Sequence, residues 1–106
     1  MKRRPRKISV GKSVYRLRTR RIDGFFGETD WDSRTISVAR GLAPPVEAKT
    51  IIHEIVHVLL DEAGLMGSGS VARVSERVCQ GLESPLASLL VDNKALIAWL
   101  QEALKK

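Results

Sequence analysis

The sequence predicts an α+β domain, with a small antiparallel sheet of hairpins in the N-terminal half packed on a central helix and one or two following helices. Three observations carry this. Residues 8–39 alternate β-branched or aromatic with polar residues between Gly and Asp turns. Beyond Gly41-Leu42-Ala43-Pro44-Pro45 the apolar residues recur at helical spacing to the C-terminus. A length of 106 residues suits one domain, whose folding buries about 60 to 70% of the unfolded surface.

Residues 1–7 are mostly charged, contain Pro5, and are expected to form a flexible basic arm ahead of a single domain over 8–106, with a β half at 8–40 and a helical half at 45–105. Ile8 to Val10, Gly11-Lys12 and Ser13 to Arg21 form a hairpin pattern. In its second strand Tyr15, Leu17 and Thr19 share one face, and Arg16, Arg18 and Arg20 make a cationic ridge on the other. Phe25 to Thr29 and Arg34 to Ala39 read as a second strand pair, turned by Asp30-Trp31-Asp32-Ser33. Phe25 and Phe26 are expected in the core, or one of them on a cleft.

Pro45 suits the start of a helix, because its fixed φ is helical and its missing N–H is not needed there. That helix should run from about Val46 to Ala63 and stop at Gly64. Apolar residues cover most of its circumference, so the polar His53, Glu54 and His57 need an explanation. Met66 to Ser70 reads as a connector with Ser70 as N-cap, and a second helix follows with Val74, Val78, Leu82, Leu86 and Leu89 inward. Pro85 lies four residues after Gly81, which predicts a kink or break. Asp92-Asn93 caps a last helix from Lys94 to Lys105, with Ala95, Leu96, Trp99, Leu100, Ala103 and Leu104 facing inward.

The net charge of +6 is unevenly placed. Residues 1–21 hold ten Lys or Arg and no acid, leaving eight bases against twelve acids elsewhere, a charge of −4. One cysteine, Cys79, excludes an internal disulfide framework and suits a reducing compartment. No stretch approaches the roughly 20 apolar residues of a membrane helix, and no signal-peptide core follows the basic N-terminus. A cytoplasmic protein without membrane contact is the expectation.

The only two histidines stand in His53-Glu54-Ile55-Val56-His57. On a helix, positions i and i+4 share a face, so both imidazoles reach one metal while Glu54, about 100° round the axis, leans over the same site. His-Glu-x-x-His at a helix supplies two zinc ligands and a carboxylate base. A catalytic site needs a third ligand, and helix geometry favours Glu76. The rise from His57 to the helix end is about 10 Å and from Ser70 to Glu76 about 9 Å, so an antiparallel return brings Glu76 level with His57. Asp61 and Glu62 compete for the role, but Asp61 lies about 6 Å further along the same helix, better placed to orient a ligand than to complete a tetrahedron.

His53-Glu54-x-x-His57 followed by Glu76 resembles the gluzincin metallopeptidases, and the small size with a short β half looks like the minimal domains of this type in bacteriophages and mobile elements. The resemblance covers roughly residues 24 to 92. It implies a zincin-like fold, zinc on His53, His57 and Glu76, Glu54 as general base, hydrolysis of protein or peptide substrates in a bacterial or phage-infected cell, and a substrate strand alongside Arg34 to Ala39. Two departures stand out. Larger gluzincins carry an acid four residues after the third ligand, where this chain has Gln80, and no spare histidine is left to stabilise an oxyanion. Tyr15, Arg73 and Arg77 are the candidates for that last role.

The alternative function is a nucleic-acid-associated module, with a structural or regulatory zinc site and weak, non-specific binding through the basic N-terminal half. Cys79, one turn from Glu76, is the residue that would close such a site as a fourth ligand. SprT-like proteases combine proteolysis with DNA-bound targets, but their third ligand is a histidine and this chain has none to offer.

Overall fold

The computed structural model describes residues 4–65 and 70–105. The elements run β1 (Lys7–Val10), β2 (Ser13–Arg20), β3 (Gly27–Asp30), β4 (Thr35–Ala39), α1 (Pro44–Glu62), α2 (Ser70–Asp92) and α3 (Lys94–Leu104). The α+β class read from the sequence is the one observed. Both expected hairpins form, β1 with β2 and β3 with β4, each antiparallel. They join through a parallel β2–β4 pairing, so the sheet is mixed rather than antiparallel, with order β1-β2-β4-β3. Strand β4 therefore has partners on both sides, and the edge strands are β1 and β3, which corrects the expectation of a free edge along Arg34 to Ala39.

Helix α1 covers one face of the sheet. Val10, Tyr15, Leu17, Ile36 and Val38 meet Val58 there in a buried core, flanked by Ile8, Leu42, Ile51 and Ile55. Pro44 and Pro45 occupy the first turn of α1, and at its other end Gly64, at φ +72°, lets the Leu65 N–H return to the Leu60 carbonyl at 2.8 Å. Side chains tie both helix ends to the sheet. Ser13 Oγ donates to Glu62 at 2.5 Å. Arg4 reaches Glu47 at 2.5 Å and Thr19 at 2.7 Å, so the arm expected to be free through residue 7 is held from Arg4.

Among the described residues no helix covers the opposite face of the sheet, which carries the arginine ridge. Arg16, Arg18 and Arg20 are exposed, as read from the alternation. Thr35 and Ser37 on the same face are nevertheless buried, because the long arginine stems lie across a neighbouring strand. Arg18 Nε donates to Ser37 Oγ at 2.9 Å, and Arg20 pairs with Glu28.

The C-terminal third departs most from expectation. Helix α2 runs unbroken for 23 residues through Pro85, so the expected break is absent. Gly81 and Pro85 are both exposed, leaving water to satisfy the carbonyl that the proline cannot. Helix α3 packs on α2 alone and has no buried residue; Leu96, Trp99 and Leu104 are 47, 65 and 82% exposed instead of facing inward. Leu82 and Leu89 of α2 are exposed with them. The reason is length: α2 spans about 35 Å against about 28 Å for α1, and its end overshoots the helix that would cover it. The radius of gyration, 14.4 Å, exceeds the roughly 13 Å of a compact 100-residue domain accordingly. The Met66 to Gly69 connector and the side chains at 70–74, including the expected Ser70 cap, Val74 and Arg73, lie outside the described residues.

Candidate metal centre

Helix α1 turns Ile51, Ile55 and Val58 to the sheet, and that orientation delivers His53 and His57 to α2. The two rings lie 5.0 Å apart at 67°. Glu76 meets both: Oε1 is 2.9 Å from Nε2 of His53, and Oε2 is 2.7 Å from Nε2 of His57. Glu76 is therefore where the helix-rise argument puts it. A neutral imidazole has one N–H and one acceptor nitrogen, so His57 can donate to Glu76. His53 has carboxylate oxygens at both ring nitrogens and only one N–H to offer them, which calls for a second ring proton or a metal ion between His53 and Glu76. This donor set, two imidazoles and a carboxylate, is one that zinc accepts.

Asp61 and Glu62 do not join the group. Glu62 is taken by Ser13, and Asp61 lies toward Tyr15, where its charge, after burial, helps raise the phenol above its ordinary value.

Two partners escaped the sequence reading. Nδ1 of His53 meets Oε2 of Glu83 at 2.7 Å, and since a carboxylate only accepts, this contact leaves the hydrogen on Nδ1 and the lone pair of Nε2 free for a metal. The orienting acid sought at position 80 thus stands seven residues after Glu76, two turns along the same face. Gln80 instead reaches Glu76 itself at 3.4 Å. The second is Thr29 on β3, whose hydroxyl donates to Oε1 of the buried Glu54 at 2.8 Å.

Cys79 stands beside the same two histidines. One atom each from His53, His57 and Cys79 lie within 4.8 Å of one another, a group able to hold a metal ion. Without a metal the Cys79 thiol is pushed up to about 12, first by burial and then by the charges of Glu76, Glu54 and Glu83.

The histidines and Glu54 line a cleft of about 760 Å³ between the loop leading into β3, the first half of α1, and α2. Phe25, Phe26, Gly27, Val46, Lys49 and Glu83 also line it. Phe25 and Phe26 are 70 and 61% exposed, so the cleft reading holds for them and the core reading does not. The proposed oxyanion residues fare differently. Tyr15 is a core residue stacked edge-on to Trp31, Arg77 does not line the cleft, and the Arg73 side chain is outside the described residues.

Strand β3 presents its free edge beside this cleft. The Ala39 N–H donates to the Phe26 carbonyl at 2.7 Å, so Phe26 faces β4 as a hydrogen-bonded pair. Alternation along an antiparallel ladder then turns the main-chain groups of Gly27 and Thr29 outward.

Comparison with protein-family models, curated proteins and solved structures finds no match for this chain. Among the described residues no helix is long and apolar enough to cross a membrane.

Proposed function

We propose that the chain is a zinc-dependent peptidase of gluzincin type, with His53, His57 and Glu76 holding zinc and Glu54 acting as general base. The observation that carries this reading is the Glu76 carboxylate spanning both Nε2 atoms at 2.9 and 2.7 Å, beside a glutamate that opens on the same cleft. Zinc bound there supplies a Lewis acid that polarises a carbonyl and lowers the pKa of water toward about 7.

The chain's own residues do the rest. Glu54 takes the proton of the attacking water and returns it to the departing amine. Thr29 occupies one oxygen of Glu54 and leaves the other for that water. Glu83 fixes the His53 tautomer. The free main-chain groups of Gly27 and Thr29 offer a ladder for an extended peptide. The test is cleavage of a fluorescently labelled unfolded protein by zinc-loaded chain. Glu54→Gln should keep zinc and fold while turning over at least about 10²-fold more slowly, and equal turnover by that variant would remove the mechanism.

The His53, His57 and Cys79 group favours a second reading, in which Cys79 completes a four-ligand structural centre and the protein works by binding nucleic acid. Four protein ligands leave no position for water. Cobalt substitution separates the readings, since a cobalt–thiolate bond gives a near-ultraviolet charge-transfer band and a His53, His57, Glu76 centre gives none.

A further inference from the structure

We propose that the face formed by the C-terminal half of α2 and by α3 is where two copies of this chain pair about a two-fold axis. This does not depend on which residues hold the metal. On α2 the side chains of Ser75, Cys79, Leu82, Leu89 and Leu90 share an arc of about 100°. Ser75 and Cys79 are buried where α2 meets α1, whereas Leu82, Leu89 and Leu90 on the same arc are 41, 47 and 50% exposed. One apolar stripe is thus covered at its start and open at its end.

Helix α3 carries a second stripe beside it. Leu96, Trp99, Leu100 and Leu104 fall on one side, with Lys94, Gln101 and Lys105 roughly half a turn away. Such a helix sets its apolar side against another surface, yet α3 touches only α2, with Ile97 its one partly withdrawn residue and the stripe left in water. The open side chains of the two stripes present roughly 700 Å², above the about 300 to 600 Å² of the largest apolar patch on a monomer and close to the about 800 Å² that one partner gives a stable interface.

Charge selects the occupant. Residues 81–106 hold three acids, Glu83, Asp92 and Glu102, against three bases, Lys94, Lys105 and Lys106, so the net +6 of the chain lies entirely in residues 1–80. A second copy therefore meets this end without the like-charge repulsion that the arginine face would impose on it. Lipid and nucleic-acid phosphates are drawn to a positive excess that this end lacks. A two-fold axis also closes the contact, since each copy offers the same stripes to the other and none is left over for a third.

Sedimentation equilibrium on the purified full chain tests this. Wild type should show twice the chain mass at tens of micromolar and dissociate on dilution. Leu89→Glu and, separately, Trp99→Glu should each weaken association at least about 100-fold, because each would bury an unpaired carboxylate, with circular dichroism and zinc content unchanged. Val91→Glu, at a residue 78% exposed but about half a turn from the α2 stripe, should pair as wild type does. A wild-type monomer up to about 100 µM, a dimer that persists in both stripe variants, or species that grow beyond two copies with concentration each overturn the proposal.

Discussion

Thr29 donates its hydroxyl hydrogen to Oε1 of Glu54 at 2.8 Å, joining the edge strand to the proposed base on α1 by a single hydrogen bond. A carboxylate held at one oxygen keeps a fixed direction for the other. Thr29→Val retains the shape and removes the donor, so kcat should fall about tenfold, the scale of one hydrogen bond to a charged group. KM and zinc content should stay near wild type, and Thr29→Ser should restore the rate. A variant that lost zinc or merely melted earlier would give the threonine a structural role instead.

Gly27 sets the distance between that strand and the helix. A Cβ there would lie 2.6 Å from Thr50 Cγ2 and 3.2 Å from the Ser37 carbonyl oxygen. Gly27→Ala should therefore destabilise by about 1 to 3 kcal/mol, as overpacking does, visible as a lower melting temperature. Removing the obstructing methyl by Thr50→Ser should recover part of that loss in the double variant. Additive losses would show that the contact with Thr50 is not what limits the approach.

The proposed metal ligands were more legible in the sequence than their supports. His53 and His57 are read from spacing, and Glu76 from the rise of two helices joined by a short connector. Glu83 required knowing that α2 continues through Gly81 without a break, which the Gly81 to Pro85 spacing argued against. The strands were legible from alternation, but a strand's own residues do not name its neighbour, and the parallel β2–β4 pairing was missed for that reason. Alternation did mark Arg16, Arg18 and Arg20 as one face, without revealing that Arg18 bonds to Ser37 and Arg20 reaches Glu28 beyond it. Leu96, Trp99 and Leu104 mark an apolar face by their periodicity, and periodicity says nothing about whether the chain has anything left to cover it.

Zinc bound only by the folded chain stabilises it by mass action, about 4 kcal/mol when free zinc stands at 1,000 times its dissociation constant. Chelation should lower the melting temperature, and Glu76→Ala should abolish most of the difference between loaded and chelated protein. Asp61→Ala should leave that difference nearly intact, since its carboxylate lies toward Tyr15. Glu83→Gln should weaken zinc by about 10- to 100-fold, as losses of orienting partners do. Calorimetric titration ranks the three, and a larger effect at Asp61 than at Glu76 would reassign the ligand.

In the metal-free chain Cys79 gives a pH dependence of definite sign. Its thiol is pushed from 9.0 to about 12 by burial and the surrounding acids, so the folded state holds a proton that the unfolded state releases earlier. The resulting stability is fully present below pH 9 and is lost as pH rises from there toward 12. Tyr15, raised in the same direction, adds to the loss above pH 10. Denaturant unfolding of chelated protein should show the decline, and Cys79→Ser should reduce its lower part. A stability that rose with pH over this interval would contradict the burial of the thiol.

The arginine face gives the last test. A cation already neutralised by a fixed acid releases fewer counterions when a phosphate approaches. Arg20 is paired with Glu28, and Arg18 donates to the neutral Ser37. If the basic half binds DNA, binding should be weak and fall steeply with salt, and Arg16→Ser should weaken it more than Arg20→Ser. Arg6→Ser, at another exposed position, should weaken it as well, while zinc affinity survives all three changes because none removes a proposed ligand. Mobility shifts at low salt read the order directly. No binding by the intact chain would leave these arginines as a solvated sheet face, with function resting on His53, Glu54, His57 and Glu76.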